Sequence, residues 1–182
     1  VPVSGAEELE RLLPALEAIA PRVSIPISVD TYKSQVALRA VEAGATVIND
    51  IWGLQADPVL ARVAAESGAL LILMHNQKDH LYRDLLPDIF ASLSHGARLA
   101  REAGVPERNI ILDPGIGFGK TPDQNLEVLR RLNEFKGLGY PLLVGTSRKS
   151  TIGLVLDLPP DQRIEGTAAT VALAIAGGAD II

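Results

Sequence analysis

The sequence predicts an α/β fold in which helices and buried parallel strands alternate within a single domain, residues 1–182. Short apolar runs of strand length recur after segments in which leucines repeat at helical spacing. A glycine often stands at the junction, and the runs lack the polar–apolar alternation of a strand with one solvated face. Units of this kind build a parallel sheet covered by helices, either open or closed into a barrel.

The composition indicates a protein with an ordinary apolar core. Of the 182 residues, 47% are hydrophobic, 21% are charged and 4% are aromatic. A net charge of −5 without a long basic block argues against nucleic acid as a partner. The longest apolar run, Ala69–Met74, is far too short to span a bilayer, so we expect no membrane partner. The lack of cysteine excludes disulfides and thiolate metal sites and agrees with a cytoplasmic location.

Six apolar runs are predicted to form the strands. Several of them follow a glycine, which readily adopts the left-handed conformation just past the end of a helix. The predicted strands are Ile25–Asp30, Thr46–Asp50, Leu70–His75, Asn109–Asp113, Pro141–Thr146 and Asp180–Ile182.

The segments between the strands are predicted to be helices with recognisable first residues. Ser4–Glu7 has the form of a capping box. Asp57–Pro58 indicates an N-cap followed by proline at the first helical position, and Thr121–Gln124 repeats this pattern with glutamine three residues after the cap. The longest helix is predicted around Leu85–Ala97, and Thr167–Ala176 is predicted to be a helix of small residues. A complete (β/α)8 barrel typically needs about 250 residues, so we interpret the series as an incomplete barrel, with an open doubly wound sheet as the alternative.

Polar residues follow the apolar part of each predicted strand. In βα folds the ligand site lies at the carboxyl ends of the strands, so we expect these residues to line such a site. The alternative is that the Asp, Asn and Ser residues only cap the helices that follow. The strand-end residues are Asp30, Asn49 with Asp50, His75 with Asn76, Asp113, and Thr146 with Ser147.

Two segments after strands carry further chemistry. Asp113–Lys120 begins with a carboxylate, ends with an ammonium group and contains three glycines, which let a backbone approach a ligand closely. Its spacing does not match a Walker loop. Gly145–Ser150 places Arg148 and Lys149 after an apolar strand, where they either reach a ligand or its phosphates or remain solvated loop charges.

These groups suit the hydrogen-bonding edge of an aminopyrimidinone, which is the recognition edge of a pterin. A carboxylate such as Asp113 can accept two parallel N–H bonds from an amidine-like edge. A lysine ammonium can donate to a ring carbonyl, and an Asp together with an Asn offers both donors and acceptors.

The order of these segments resembles the dihydropteroate synthase family. The segments are Ser-Val-Asp30-Thr, Ile-Asn49-Asp50-Ile, Leu-Met74-His, Asp113-Pro-Gly-Ile-Gly-Phe118-Gly-Lys and Gly145-Thr-Ser147-Arg148-Lys149-Ser. The resemblance covers residues 1–182, and the last segment is its most specific part. It implies a (β/α)8 barrel, represented here without its first two strands and the end of the eighth. It also implies a folate-biosynthesis transferase that joins 6-hydroxymethyl-7,8-dihydropterin pyrophosphate to p-aminobenzoate, giving 7,8-dihydropteroate and pyrophosphate.

The same resemblance implies a role for each matching residue. Asp30, Asn49, Asp113 and Lys149 would be the catalytic residues that line the pterin pocket. Asp113 would hold the pterin amino edge, and Lys149 would hold the ring carbonyl and a nearby nitrogen. No definite role is implied for His75 or Lys120. The other substrate-binding positions would be Ile51, Met74 and Gly145 in the pocket walls, Phe118 and Ser147 beside p-aminobenzoate, and Arg148, which would position its loop or bind anionic groups.

Further implications concern the cofactor and the partners. The resemblance implies Mg²⁺ on the pyrophosphate, sulfonamide binding, and a homodimer with Thr167–Ala176 as a candidate contact. The family's Asn-Val-Thr-Pro-Asp-Ser segment, whose Asn is the expected metal ligand, does not occur in this sequence, and neither do its Ser-Thr-Arg-Pro and Arg-Val-His segments. We therefore predict no metal ligand among these residues. The segment after Met74, Asn-Gln-Lys-Asp, also departs from the family pattern.

Two alternative functions would share the pterin pocket. One is a pterin-binding methyltransferase that acts with a corrinoid partner, against which the Ser-Arg-Lys-Ser segment stands. The other is a non-catalytic pterin-binding paralogue.

Overall fold

The computed structural model describes residues 3–182, so Val1 and Pro2, with which the predicted domain begins, lie outside the described residues. The strands are β1 (Ser28–Asp30), β2 (Val47–Asp50), β3 (Leu70–Met74) and β4 (Ile110–Asp113). The α-helices are α1 (Gly5–Ile19), α2 (Ser34–Glu42), α3 (Leu60–Ser67), α4 (Leu85–Glu102), α5 (Pro122–Arg130), α6 (Ser150–Leu156) and α7 (Ile164–Ala176). Short 3₁₀ helices are formed by Ala20–Arg22, Glu107–Asn109, Leu132–Leu138 and Pro160–Gln162.

The chain forms two compact units. The first consists of Val1–Leu73 with His95–Ile110, and the second consists of Met74–Ser94 with Ile111–Ile182. Strands β3 and β4 and helix α4 each contribute residues to both units. The prediction of one domain for residues 1–182 stays a prediction.

Parallel strands form the sheet of the first unit. β1 pairs with β2, with Asp30 opposite Asn49, and β2 pairs with β3. β1 is shorter than the predicted strand Ile25–Asp30. Because Pro26 has no N–H group to donate, the backbone before Ile27 cannot extend the ladder, and Ile25 is 71% exposed. The strand order and the burial of β2 and β3 confirm the parallel α/β prediction.

In the second unit the strand series continues through single bridges. Leu112 is bridged in parallel to Leu142, and Leu143 is bridged in parallel to Ile181. The predicted strands Pro141–Thr146 and Asp180–Ile182 are therefore reduced to bridge residues. Pro141 lacks an N–H group, and the N–H of Leu142 donates to the Asp180 carboxylate at 2.9 Å instead of to a strand carbonyl.

Helix starts agree with the sequence patterns in part. Thr121 caps α5, and the side chain of Gln124 reaches back to the Thr121 N–H, which confirms the predicted capping box. At Ser4 only half of the predicted box forms, because the Glu7 carboxylate pairs with Arg11 instead. Asp57 does not cap α3, which begins at Leu60.

Asp57 binds the first residue of α2 instead of capping α3. Its carboxylate accepts from the N–H of Ser34, the first residue of α2, at 2.8 Å, and from Val59 at 3.1 Å. Burial raises the pKa of Asp57, but the hydrogen bonds from Ser34 and Val59 outweigh that effect and lower it. The residue therefore satisfies a free N–H group of α2.

The remaining helices lie close to their predicted positions. The longest is α4, as predicted. The small-residue helix α7 begins at Ile164, three residues before the predicted start at Thr167, and ends at the predicted Ala176. Each unit has its own apolar core, with Ile48, Leu60 and Leu71 fully buried in the first and Leu112 and Phe135 in the second. No helix within residues 3–182 is both long and apolar enough to cross a membrane.

Candidate functional site

Asp113 is the last residue of β4 and the first residue of the glycine-rich loop in the second unit, and its carboxylate is buried. Its Oδ1 accepts from the N–H of Gly115 at 2.7 Å. Gly115 has a φ of +71°, and a Cβ there would lie 2.0 Å from the His75 carbonyl oxygen, so only glycine fits. Within residues 3–182 no hydrogen bond reaches Oδ2, which can therefore accept from a ligand.

Burial and nearby charges set the pKa of the Asp113 carboxyl group, and with it the ability of Asp113 to accept hydrogen bonds. Burial raises its pKa to about 6, while the Gly115 N–H and the cationic Lys149 and Lys120 act in the opposite direction. Asp113 is thus a buried carboxylate that is mostly ionised at neutral pH and able to accept N–H bonds.

Lys149 extends toward the same loop from the start of α6. Its Nζ donates to the carbonyl of Ile116 at 2.5 Å and lies 4.8 Å from the centre of the Phe118 ring. Burial lowers the pKa of Lys149, and the Asp113 carboxylate opposes this shift. Lys149 is therefore held against the loop rather than freely solvated, whereas its neighbour Arg148 is exposed.

Lys120, for which the sequence implied no definite role, is buried beneath the glycine-rich loop and binds several of its groups. Its Nζ lies 3.0 Å from His75 Nδ1 and donates to the carbonyls of Gly115 at 3.0 Å and Phe118 at 3.2 Å. Burial lowers the pKa of Lys120 to about 7, with Asp113 opposing. Burial, followed by the charge of Lys120, lowers the pKa of His75 to about 3. The imidazole is therefore neutral and accepts through Nδ1.

Asn125 supports the same loop and was missed by the sequence reasoning. Its side chain is 1% exposed, and its Oδ1 accepts from the N–H of Gly117 at 2.7 Å. Its Nδ2 donates to the carbonyl of Thr121 at 2.9 Å. The available signal was a polar residue one helical turn before Leu129, on the buried stripe of α5.

The turn that follows Leu143 holds most of the other predicted residues of the second unit. Thr146 is 2% exposed, while Ser147 is exposed and Gly145 is half-buried. Met74, at the end of β3, is buried in the same unit. The structure therefore brings Asp113, Phe118 and Lys149 into mutual proximity, with Gly145, Ser147 and Arg148 on the adjoining turn.

Asp30, Asn49 and Ile51 belong to the first unit, where the first two form a pair. The Nδ2 of Asn49 donates to Oδ1 of Asp30. The Oδ1 of Asn49 is buried and, within residues 3–182, has no hydrogen-bond partner. An unpaired buried carbonyl oxygen costs stability unless a donor meets it, so this atom is suited to a ligand N–H group.

Asp50 has a structural role, but it holds a turn and does not cap the helix that follows, α3, which begins at Leu60. Its two oxygens accept from the N–H groups of Trp52 at 2.9 Å and Leu54 at 2.6 Å. These bonds hold a tight turn in which the buried Leu54 has a φ of +68°. Burial raises the pKa of Asp50, and the backbone hydrogen bonds oppose that shift.

We expect Asp50→Asn to lower the free energy of unfolding by roughly 2 kcal/mol, because the amide group leaves one of these buried N–H groups without an acceptor. Urea denaturation of the full-length protein measures the change. The exposed variant Asp161→Asn is the control and should change stability by less than about 0.5 kcal/mol. Equal stability of the two variants would contradict the role of Asp50.

Metal ligands are not gathered in the described chain. Within residues 3–182 no group of three or more His, Asp or Glu side chains is placed to hold a metal ion.

Comparison with known proteins relates this chain to a family. A family model described as "Pterin binding enzyme" matches residues 1–182. Dihydropteroate synthase of Bacillus subtilis (strain 168) is 56% identical over 180 residues, which make up 99% of this chain and 63% of that protein. Dihydropteroate synthase of Synechocystis sp. is 49% identical over 190 residues, covering 99% of this chain and 65% of that protein. The chain thus spans less than two thirds of the length of these curated relatives.

Solved structures are similar over nearly the same range. A dihydropteroate synthase from Clostridium difficile, crystallised in the presence of pteroic acid, has a TM-score of 0.97 and 47% identity, covering 100% of this chain and 69% of that one. A dihydropteroate synthase from Thermus thermophilus in complex with 6HMPPP has a TM-score of 0.91 and 43% identity, covering 99% of this chain and 71% of that one. These enzymes are TIM barrels, so the predicted fold is confirmed: the chain corresponds to part of a (β/α)8 barrel.

Proposed function

This chain belongs to the pterin-binding enzyme family, and from that premise we propose that it functions as a dihydropteroate synthase. The reaction forms a bond between the amine nitrogen of p-aminobenzoate and the exocyclic CH₂ of the dihydropterin. The C–O bond to pyrophosphate breaks, pyrophosphate leaves with the electron pair, and the amine loses a proton. The product is 7,8-dihydropteroate.

The observation that carries the proposal is the buried Asp113 carboxylate beside a glycine-rich loop and Lys149. An ionised carboxylate with one oxygen available suits the N–H groups of a pterin amino edge. An ammonium group nearby suits the ring carbonyl, and the Phe118 ring beside Lys149 suits an aromatic co-substrate. The pterin roles implied for Asp30 and Asn49 stay predictions.

The chemistry needs positioning more than it needs an acid or a base. The arylamine is already a nucleophile, so the rate depends on holding the electron-rich pterin in place and stabilising the departing anion. In this proposal Asp113 and Lys149 fix the ring, while Ser147 and Arg148 on the exposed turn lie where anionic groups can approach.

Three finer points are also proposed. Mg²⁺ is expected to stabilise the leaving pyrophosphate, but this expectation rests on the family resemblance, and we assign no step of the reaction to the metal. A homodimer with α7 as a contact agrees with the exposed Leu173 and Ile175 on that helix. A cytoplasmic location agrees with the lack of cysteine.

Calorimetry on the full-length protein, followed by an activity assay, tests the function. We expect a dihydropterin to bind, p-aminobenzoate to bind only when pyrophosphate and Mg²⁺ are present, and pyrophosphate to be released when both true substrates are added. Pterin binding without any turnover would favour the non-catalytic paralogue. No pterin binding would refute the proposal.

Pterin affinity is expected to depend on pH through Asp113. Since its pKa is about 6, the accepting carboxylate is fully present well above pH 6 and is lost as the pH falls. Affinity should decrease up to about tenfold for each pH unit below 6, because one proton must then be released on binding. Titrations between pH 5 and 8 measure this, and a constant affinity over that range would contradict it.

A further inference from the structure

One face of α7 contacts the turn that carries Ser147, Arg148 and Lys149. The Nη1 of Arg163, at the N-cap of α7, donates to the carbonyls of Arg148 at 3.0 Å and Lys149 at 3.3 Å. One helical turn later, Oγ1 of Thr167 accepts from the N–H of Arg148 at 3.0 Å. The contact continues at Thr170, whose Oγ1 donates to that of Thr146 at 3.0 Å.

The backbone of Arg148 is the point on which these contacts converge. Its φ is +52°, a left-handed conformation that a residue with a Cβ adopts only at a cost in energy. Such a conformation persists when the surroundings over-determine it. Here both backbone polar groups of Arg148 are bound from α7 and its N-cap, the N–H by Thr167 and the carbonyl by Arg163.

Arg163 is itself fixed in place by α6 and the segment that follows. Its Nε donates to the carbonyl of Leu158 at 2.9 Å. Its guanidinium group lies against the α-carbon of Gly153, where a Cβ would come within 2.1 Å of Nη2. The planar fork of arginine can donate to several carbonyls at once, which a lysine ammonium on a flexible chain does less well.

We propose that Arg163 is a positioning residue for the substrate-binding turn. It acts through the backbone of Arg148 and Lys149, whose carbonyls it holds, so that the Lys149 side chain leaves the turn in the direction of Ile116 and Phe118. The inference rests on the proposed function, in which Lys149 contacts the pterin. Thr167 adds to this effect by accepting from the N–H of Arg148, the residue with the strained backbone.

Two variants test this role in different ways. Arg163→Gln removes the guanidinium donors. Gly153→Ala leaves Arg163 intact but places a methyl group where its guanidinium lies, and because that group is the end of a flexible side chain it can move aside without unfolding the protein. The controls are Gly137→Ala, where no atom lies within 4 Å of the new Cβ, and the exposed Arg62→Gln.

We expect both test variants to lower kcat/KM for the dihydropterin substrate by between about 10-fold and 100-fold, since a misplaced binding group costs this much. Amide exchange at Arg148 should accelerate in both, and Arg163→Lys should restore part of the lost activity. The two controls should retain wild-type kcat/KM and exchange.

The outcomes separate this inference from the proposed function. Wild-type kcat/KM and slow exchange at Arg148 in Gly153→Ala and Arg163→Gln would overturn the positioning role while leaving the function intact. If the wild-type protein does not bind a pterin, the proposed function fails and the catalytic part of the inference fails with it. If Arg163→Gln does not fold, Gly153→Ala decides.

Discussion

Replacing Asp113 with asparagine should weaken pterin binding on the order of 100-fold, the largest binding effect that we expect from one substitution. The new Nδ2 group would face the donors of the pterin edge, so an accepted charge-assisted hydrogen bond becomes a donor–donor contact. The loss corresponds to about 3 kcal/mol. Calorimetric titration of the full-length variant with a dihydropterin measures it directly.

The fold should not suffer from this change. The Oδ1 atom of asparagine can still accept from Gly115, and a neutral amide is less costly to bury than a carboxylate. Thermal unfolding should therefore occur at or slightly above the wild-type temperature. Asp123→Asn, an exposed substitution in the first turn of α5, is the matched control and should bind normally. Unchanged affinity in Asp113→Asn would show that Asp113 is not the pterin acceptor.

Lys120→Met should cause the largest loss of stability, about 3 kcal/mol of unfolding free energy. The methionine side chain fills a similar volume but leaves the Gly115 and Phe118 carbonyls and His75 Nδ1 without their shared donor. Urea denaturation measures the loss, and the exposed Lys78→Met should stay within about 0.5 kcal/mol of wild type.

The pH dependence of this loss has a definite sign. The pKa of Lys120 falls from its ordinary value of 10.5 to about 7 in the folded protein. Between these values the unfolded chain binds more protons, so the contribution of Lys120 to stability increases as the pH rises. The stability difference between wild type and Lys120→Met should therefore grow between pH 7 and pH 9. A difference that shrinks over this range would contradict the buried position of the amine.

Local sequence patterns were most informative where one short segment settles the outcome. The capping box at Thr121 forms because cap, proline and glutamine all lie within four residues. The apolar runs of β2, β3 and β4 form parallel strands because each is buried on both faces. Asp57 departed from its predicted role because its carboxylate binds the N–H of Ser34, which is distant in sequence. The predicted strand at Pro141 is reduced to bridge residues because the N–H of Leu142 donates to the distant Asp180 carboxylate.

By itself, the sequence determined the alternation of helices and parallel strands, the polar strand ends and the family, since these follow from residue order and short motifs. The tertiary structure alone decided which polar groups cooperate. Lys120 contacts His75, which lies 45 positions away in the sequence, and Lys149 contacts Ile116, which lies 33 positions away. No sequence periodicity predicts contacts at such separations. Arg163 likewise gains its role only because folding places its guanidinium group on the carbonyls of a strained turn.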